Sequence, residues 1–278
     1  MPRVVESLPA LRESIGRLRE RGDRIGFVPT MGNLHRGHLG LVEEAAVCCE
    51  ATIASIFVNP TQFGPGEDFE AYPRTFDADL EALESVGCDL VWAPPVEVMY
   101  PLEKPFMVQV PEALSDCLCG RSRPGHFDGV ATVVLRLLNQ VTPDVAVFGE
   151  KDYQQLLILR QMARDFALPV ELLGAPIVRE EDGLAMSSRN GYLDEKQRAV
   201  APTLYRMLTN TAERLAAGEA FEPLKARALE ELQAAGFRPD YLEWRSAEDL
   251  GEPKPDEPSR VFGAAWLGKA RLIDNVPS

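Results

Sequence analysis

Two of the three histidines in the chain, His35 and His38, lie in the segment PTMGNLHRGH at residues 29–38. An apolar run precedes this segment and a helical pattern follows it, which is typical of a strand-to-helix turn. The start of a helix has unpaired N–H groups and a partial positive charge, and both favour phosphate. Imidazoles can donate to phosphate oxygens, while Gly32 and Gly37 allow a ligand to approach the backbone closely. The pattern predicts a phosphate site, although two histidines that only cap or pack a turn would show the same spacing.

A second polar turn, FVNPTQF at residues 57–63, follows another apolar run. Asn59, Thr61 and Gln62 supply amides and a hydroxyl there. Amides recognise hydroxyl and carboxylate groups through paired donor and acceptor contacts. Because Asn-Pro is also a common turn dipeptide, an ordinary turn is the alternative, and this segment alone is a weak signal.

Two further segments combine cations with turns before helices. SRPGHFDGV contains Arg123 and His126, and an arginine in such a turn suits phosphate, although a surface loop would have the same composition. FGEKDYQQL contains Lys151, a compact cation for phosphate, and Asp152, which can cap the helix or hold a ribose hydroxyl.

The segment MSSRN at residues 186–190 places two hydroxyls beside Arg189. An arginine on a mobile loop can close over a polyphosphate, whereas a plain polar surface loop would look the same in sequence. The chain has no G-x-x-x-x-G-K-[ST] segment and no G-x-G-x-x-G segment, so neither a P-loop nor a dinucleotide fingerprint is present. The absence of G-x-S-x-G argues against a serine hydrolase.

Alternating strands and helices are predicted to position these segments. The predicted strands are residues 24–28, 51–58, 88–94, 144–149 and one or two strands within 168–178. The predicted helices are residues 8–18, a helix from about 37, 76–87, 129–141 and 153–166. This alternation predicts an α/β fold with a Rossmann-like parallel sheet and helices on both faces. Ligands of such sheets bind outside the carboxyl ends of the strands, where three of the polar segments fall.

The pattern changes after about residue 180. Two helices are predicted at 194–217 and 221–236, followed by short strands at 240–250, 259–268 and 270–275. We therefore divide the chain into residues 1–178, a Rossmann-like nucleotide- and substrate-binding domain, and residues 179–278, a smaller C-terminal α+β domain acting as a lid.

Composition excludes several classes of partner. The net charge of -14 argues against nucleic acid or an anionic membrane surface, because both need a basic face. No apolar run approaches the roughly 18 residues of a membrane span, and the N-terminus does not resemble a signal peptide. The five cysteines form neither a disulfide framework nor a C-x-x-C site. They are predicted to be reduced thiols of a cytoplasmic protein.

Together these segments resemble a known family. H-x-G-H after a strand is similar to the nucleotidylyltransferase superfamily, whose members attack the α-phosphate of ATP. The segments VPTMGNLHRGH, SIFVNPTQFGPGEDFEAYPRT, SRPGHFDGV, VFGEKDYQQL and DGLAMSSRNGYL look like those of the pantothenate synthetase (pantoate–β-alanine ligase) family. The resemblance extends from the first predicted helix to the closing AAWLGKARLIDN.

The resemblance implies a reaction and a set of ligands. Pantoate attacks the ATP α-phosphate to give pantoyl adenylate and pyrophosphate, and β-alanine then attacks the adenylate to give pantothenate and AMP. ATP, with Mg²⁺, is the nucleotide substrate. The family is usually homodimeric.

The resemblance also implies roles for individual residues. Catalytic roles fall to four cationic or imidazole side chains: His35, His38, Lys151 and Arg189. ATP is bound by Met31, Gly32, Asn33, Leu34, His35, Arg36, Gly37, His38, Gly149, Glu150, Lys151, Asp152, Val178, Met186, Ser187, Ser188 and Arg189. Pantoate is bound by Gln62 and Gln155, and β-alanine by Gln62. Further candidates for the site are Asn59, Arg123 and His126.

Two alternative functions remain open on sequence grounds. One is another enzyme of the superfamily that joins ATP to a nucleotide or phosphorylated carrier, against which the uncharged amides of Gln62 and Gln155 argue. The other is a non-catalytic nucleotide-binding regulator, against which the retained histidines, Lys151 and Arg189 argue.

Overall fold

The computed structural model describes residues 1–64 and 69–278. Residues 65–68, part of the segment SIFVNPTQFGPGEDFEAYPRT, lie outside the described residues. The chain divides into two compact units. The first comprises residues 1–111, 123–150 and 158–176, and the second comprises 112–122, 151–157 and 177–278. The assignment of 179–278 as a lid remains a prediction.

The first unit is built on a six-stranded sheet in the order β1-β4-β3-β2-β5-β6, and every strand pair in it is parallel. Its strands are β1 (Arg3–Val5), β2 (Ile25–Thr30), β3 (Ala51–Ile56), β4 (Leu90–Trp92), β5 (Val145–Gly149) and β6 (Glu171–Ala175). The α/β prediction is confirmed. β1 was not predicted, because three residues are too few to show a period.

Helices alternate with these strands in the chain. Those before residue 177 are α1 (Leu8–Glu20), α2 (Arg36–Cys48), α3 (Phe76–Ser85), α4 (Val96–Met99), α5 (Glu112–Ser115), α6 (Leu118–Ser122), α7 (His126–Val141) and α8 (Tyr153–Asp165). The central strands are apolar on both faces, as in any sheet covered on both sides. β3, for example, is buried at five consecutive positions from Ala51 to Ser55.

The strand order indicates where along the sheet a ligand can bind. β2 pairs with β3 on one side and with β5 on the other, so the chain reverses its direction of winding between β2 and β5. Such a switch point leaves a crevice at the carboxyl ends of the strands. β2 ends at Thr30 and β3 at Ile56, immediately before the two predicted polar turns.

The second unit contains a three-stranded antiparallel sheet in the order β7-β8-β9. Its strands are β7 (Arg238–Ser246), β8 (Ser259–Leu267) and β9 (Ala270–Pro277), and its longer helices are α9 (Glu195–Val200), α10 (Thr203–Ala216) and α11 (Phe221–Ala234). The single helix predicted over 194–217 is thus two helices. Pro202 lies at the break, because proline lacks an N–H and its ring clashes with the preceding turn.

Candidate active site

The turn after β2, residues 31–35, is held by a buried carboxylate. Asp79 on α3 is 3% exposed and accepts the N–H groups of Asn33 at 2.9 Å and of Leu34 at 2.8 Å. Gly32 adopts φ +78°, and a Cβ there would lie 2.9 Å from Asp79 Oδ2. A residue with a side chain would therefore be strained at position 32 and would also push the carboxylate away.

Asp79 was not among the predicted site residues. It lies four residues before Leu83, on the buried face of α3, where a carboxylate is rarely placed without a partner. That position was the available sequence signal. Asp79 therefore pairs with two main-chain N–H groups that lie just before the helix start predicted to bind phosphate.

The two histidines cap the start of α2. His35 is the N-cap, and its Nδ1 accepts the N–H of Gly37 at 3.1 Å. His38 Nδ1 accepts the N–H of His35 at 3.3 Å, which completes a capping box. The rings lie 4.0 Å apart between centroids. Because both Nδ1 atoms are acceptors, the neutral rings carry their proton on Nε2. The capping role of both histidines is thus shown, and the phosphate site at this turn stays a prediction.

The turn after β3 is organised around Asn59, which is 1% exposed. Its Oδ1 accepts from the Tyr100 hydroxyl at 2.7 Å and from Thr61 Oγ1 at 3.0 Å. Its Nδ2 donates to Gln62 Oε1 at 3.1 Å and to the Gly129 carbonyl at 3.2 Å. Burial raises the pKa of Tyr100, so its hydroxyl stays protonated as the donor. All of these contacts of Asn59 orient the turn that carries Gln62.

The same turn packs tightly against the start of α7. A Cβ on Gly129 would lie 2.1 Å from the carbonyl oxygen of Thr61, so no larger residue fits there. His126 Nδ1 donates to the Gln62 carbonyl at 2.8 Å, and Arg123 Nη1 donates to His126 Nε2 at 2.8 Å. Arg123 and His126, predicted as candidates for the site, therefore support the backbone of Gln62.

A side-chain contact joins the two turns. Gln62 Nε2 donates to Met31 Sδ over 3.1 Å. The structure thereby brings together a segment predicted for ATP and one predicted for pantoate. Of the other predicted residues in this unit, Arg36 is exposed and pairs with Glu43 at 2.8 Å, while Gly149 ends β5 and Glu150 begins the following 3-10 turn.

In the second unit, the structure distinguishes the two glutamines that begin α8. Gln154 is 5% exposed, accepts the N–H of Cys119 at 3.0 Å and donates to the Leu114 carbonyl at 2.8 Å. Gln155, the residue predicted to bind pantoate, is only half-buried. Lys151 Nζ lies 3.4 Å from the carboxylate of Asp152 in the same turn.

The predicted loop before Arg189 is a hairpin. Met186 N–H donates to the Val178 carbonyl at 3.0 Å, and Arg179 bridges Ala185 in antiparallel fashion. The hairpin leads into a 3-10 helix, Ser188–Tyr192, in which Ser187 Oγ accepts the N–H of Arg189 at 3.3 Å. The segment is thus held at its base by main-chain hydrogen bonds.

All five cysteines are free thiols. Within residues 1–64 and 69–278, no three His, Cys, Asp or Glu side chains converge as a metal site would require. No helix in the described part of the chain combines the length and apolar character needed to cross a membrane.

The chain is similar to known proteins over nearly its whole length. The family model for pantoate-beta-alanine ligase matches residues 3–277. The chain is 53% identical to the pantothenate synthetase of Pseudomonas aeruginosa (strain UCBPP-PA14), over 98% of this chain and 98% of that protein. The crystal structure of the Thermus thermophilus enzyme matches with a TM-score of 0.92 at 47% identity, covering 99% of this chain and 98% of that one.

A further solved structure is the Francisella tularensis pantoate-beta-alanine ligase, complexed with beta-gamma ATP and beta-alanine. It matches with a TM-score of 0.84 at 32% identity, over 99% of this chain and 97% of that one. The similarity extends over nearly the whole length in each comparison. The chain belongs to the pantoate–β-alanine ligase family.

Proposed function

We propose that this protein condenses pantoate with β-alanine, with cleavage of ATP to AMP and pyrophosphate, through a pantoyl adenylate. The observation that carries the proposal is the junction of the two turns. Imidazole N–H donors suited to phosphate lie on the turn after β2, and the Gln62 amide of the next turn contacts Met31 of the first. A nucleotide and a small hydroxy acid can therefore be held side by side.

In the first step, a carboxylate oxygen of pantoate attacks the α-phosphorus and the bond to the pyrophosphate oxygen breaks. Negative charge grows on the leaving pyrophosphate and on the oxygens around phosphorus. His35 and His38 act as fixed Nε2–H donors to these oxygens, and Lys151 and Arg189 supply positive charge. Donors that are fixed in advance are worth more than donors that must be ordered during the reaction.

Gln62, together with Gln155, holds pantoate through neutral amides. The use of neutral amides rather than cations has a chemical reason. A carboxylate that is bound by uncharged donors keeps more of its negative charge, and hence more of its nucleophilicity, than one paired with a cation. Asn59 orients the Gln62 amide for that contact.

In the second step, the amine nitrogen of β-alanine attacks the acyl carbon, the bond from that carbon to the AMP oxygen breaks, and the nitrogen loses a proton. The adenylate is already activated, so the main requirement is to exclude water. Gln62 also contacts β-alanine in the proposal.

ATP is bound by the remaining residues that the resemblance implies, and Mg²⁺ enters as part of the ATP substrate. Magnesium commonly keeps several waters and is held by phosphates with one or two carboxylates. Residues 179–278 act as a lid. The hairpin at 178–186 is fixed within its own unit, so a closing motion would involve that unit as a body.

We further propose that the protein is a homodimer in the cytoplasm. An apolar strip is exposed on the first unit, with Phe106 86%, Leu102 54% and Met107 48% exposed. Alternate N–H groups of the same segment, at Val108 and Val110, donate to α7 side chains. In an extended chain the intervening N–H groups face away, and a second copy could pair with them. The free thiols of all five cysteines fit a reducing compartment.

Pyrophosphate exchange into ATP tests this function directly. We expect exchange to require pantoate and magnesium but not β-alanine, because adenylate formation precedes the amine step. A panel of other small acids and phosphorylated acceptors serves as the control. Exchange without pantoate, or exchange supported best by a phosphorylated acceptor, would contradict the proposal.

A further inference from the structure

Two consecutive buried polar residues near the end of β9 have no role in the chemistry described so far. Asp274 is 5% exposed and Asn275 is 1% exposed. Successive residues of a strand face opposite sides of the sheet. Leu272 and Val276 belong to the apolar core shared with α10 and α11, so Asp274 faces that side and Asn275 faces the other.

Asp274 fixes the hairpin that leads to Arg189. Arg179 donates to Asp274 from Nη1 at 2.7 Å and from Nη2 at 3.0 Å, a two-pronged ion pair. The Arg179 guanidinium also lies 3.7 Å from the ring centroid of Tyr205 and donates to the Gly183 carbonyl at 3.0 Å. The guanidinium is therefore held from several sides, and the hairpin strand that contains Arg179 is held with it.

Asn275 fixes the backbone at Lys151. Its Nδ2 donates to the Lys151 carbonyl at 3.1 Å, and its Oδ1 accepts from Arg260 Nε at 2.7 Å. Arg260 in turn lies 4.3 Å from the ring centroid of Tyr153. Both the donor and the acceptor of the buried amide are hydrogen-bonded, and the donor pairs with a main-chain carbonyl rather than with a side chain.

We infer that Asp274 and Asn275 are positioning residues for adenylate formation. Lys151 and the segment Ser187–Arg189 are distant in sequence, yet each is linked to one of two adjacent residues of a single strand. β9 thus serves as their common rigid reference and sets where the two cations lie relative to each other. This inference rests on the proposed function, in which both segments bind ATP. Misplacement of a catalytic group by about 1 Å can cost about a hundredfold in rate.

Substitutions can cut each link separately. Asn275→Asp keeps the acceptor for Arg260 but removes the donor to the Lys151 carbonyl. Asp274→Asn removes the charge and one acceptor from Arg179. The matched control is Asp240→Asn, which weakens a partly buried ion pair with Arg271 on the same sheet. If Asp274→Asn fails to fold, Arg179→Lys tests the same link, because it keeps the charge and loses the two-pronged geometry.

We expect Asn275→Asp and Asp274→Asn to slow pyrophosphate exchange by about 10- to 100-fold and to raise the KM for ATP. The KM for β-alanine should stay unchanged, and Asp240→Asn should exchange normally. Double-mutant cycles add the decisive readout. Asn275→Asp should have little further effect in a Lys151→Ala background, and Asp274→Asn little further effect in an Arg189→Ala background.

Two kinds of failure can be told apart. Normal exchange in Lys151→Ala and Arg189→Ala would overturn the assignment of both cations to ATP, and this inference with it. If exchange is slow in those variants, two results would overturn the positioning role alone. One is that the β9 substitutions slow exchange as much in the Lys151→Ala and Arg189→Ala backgrounds as in the parent. The other is that Asp240→Asn slows exchange as much as the β9 substitutions do. Unchanged exchange in Asn275→Asp and Asp274→Asn would overturn it too.

Discussion

The turns after β2 and β3 lie on neighbouring strands of one sheet, but they are held in place by different chemistry. A carboxylate from α3, Asp79, anchors the first turn through two main-chain N–H groups. A neutral amide, Asn59, anchors the second and reaches the side chain of Gln62 as well as main-chain atoms. The first anchor thus adds a negative charge beside a proposed phosphate site, and the second adds none beside a proposed carboxylate site.

The difference separates two tasks. At the first turn Asp79 fixes the shape of the backbone, and His35 and His38 are the proposed donors to phosphate. At the second turn one uncharged network fixes both the backbone and the binding amide. Substitutions at the first turn should therefore damage the nucleotide step most, and substitutions at the second should damage the use of pantoate.

His38→Gln should have the largest effect. Glutamine at this position can still accept the His35 N–H, as in an ordinary capping box, so the turn should keep its shape while losing an imidazole donor. We expect adenylate formation to fall by about 10²–10³-fold, the loss typical of one preorganised donor, with an unchanged melting temperature. Single-turnover measurement of AMP and pyrophosphate provides the rate. A near-normal rate would restore the interpretation that the histidines only cap a turn.

Asp79→Asn should have the second-largest effect. One of the two main-chain N–H groups would face an NH₂ group, and leaving a buried group unsatisfied costs about 1–3 kcal/mol of unfolding free energy. The distorted turn should also raise the KM for ATP by about tenfold or more. Asp77→Asn, at an exposed position on the same helix, is the control. Equal behaviour of the two variants in chemical denaturation and in the ATP titration would show that Asp79 does not hold the turn.

Gly129→Ala tests the second turn by geometry alone. The added methyl would meet the carbonyl oxygen of Thr61 at 2.1 Å, so the Gln62 turn must move. We expect the KM for pantoate to rise several-fold with a smaller change in the KM for ATP. Gly16→Ala, where a Cβ meets nothing within 4 Å, controls for glycine replacement in a helix. Equal changes in both KM values would mean that the two turns do not act separately.

Sequence alone predicted a chemistry for both turns but not the residues that anchor them. His35, His38 and Gln62 stand out because imidazole pairs and amides after a buried strand are unusual for simple turns. Asp79 is far from its partners in sequence, and α3 shows only an amphipathic pattern, so nothing local reveals which turn its carboxylate meets. Asp274 and Asn275 were hidden for the same reason, since a strand pattern does not report what its side chains hold.

The fold, too, was predictable only in part from the sequence. Parallel strands flanked by helices were predictable from the alternation of apolar runs and helical periods. The break between α9 and α10 was missed because helical periodicity continued across Pro202, although the proline was a usable signal.

The smallest effect is expected at the opposite, amino-terminal end of the sheet. Burial alone would raise the pKa of Asp144. Hydrogen bonds from the Ile25 N–H and from Arg19, with the positive charges of Arg19 and Arg24, outweigh burial and lower it. A lowered folded-state pKa stabilises the protein above the unfolded value of about 3.9, and this stabilisation is lost as pH falls through the folded value.

Asp144→Asn should therefore melt earlier than the parent at pH 7, and the difference should shrink as the pH falls below about 4. Activity at pH 7 should not change, because this end of the sheet is remote from the two turns. Melting temperatures across pH 3 to 7 provide the measurement, and a difference that persists undiminished at the acid end would contradict the assignment.

In the proposed mechanism, a pantoate carboxylate oxygen attacks the α-phosphorus of ATP. Pantoate labelled with ¹⁸O in its carboxylate, ATP, magnesium and β-alanine should be turned over once, and the AMP analysed by mass spectrometry. We expect one ¹⁸O atom in the AMP phosphate, because the second step breaks the bond between the acyl carbon and that oxygen. Unlabelled AMP formed together with pantothenate would contradict the adenylate mechanism proposed for this protein.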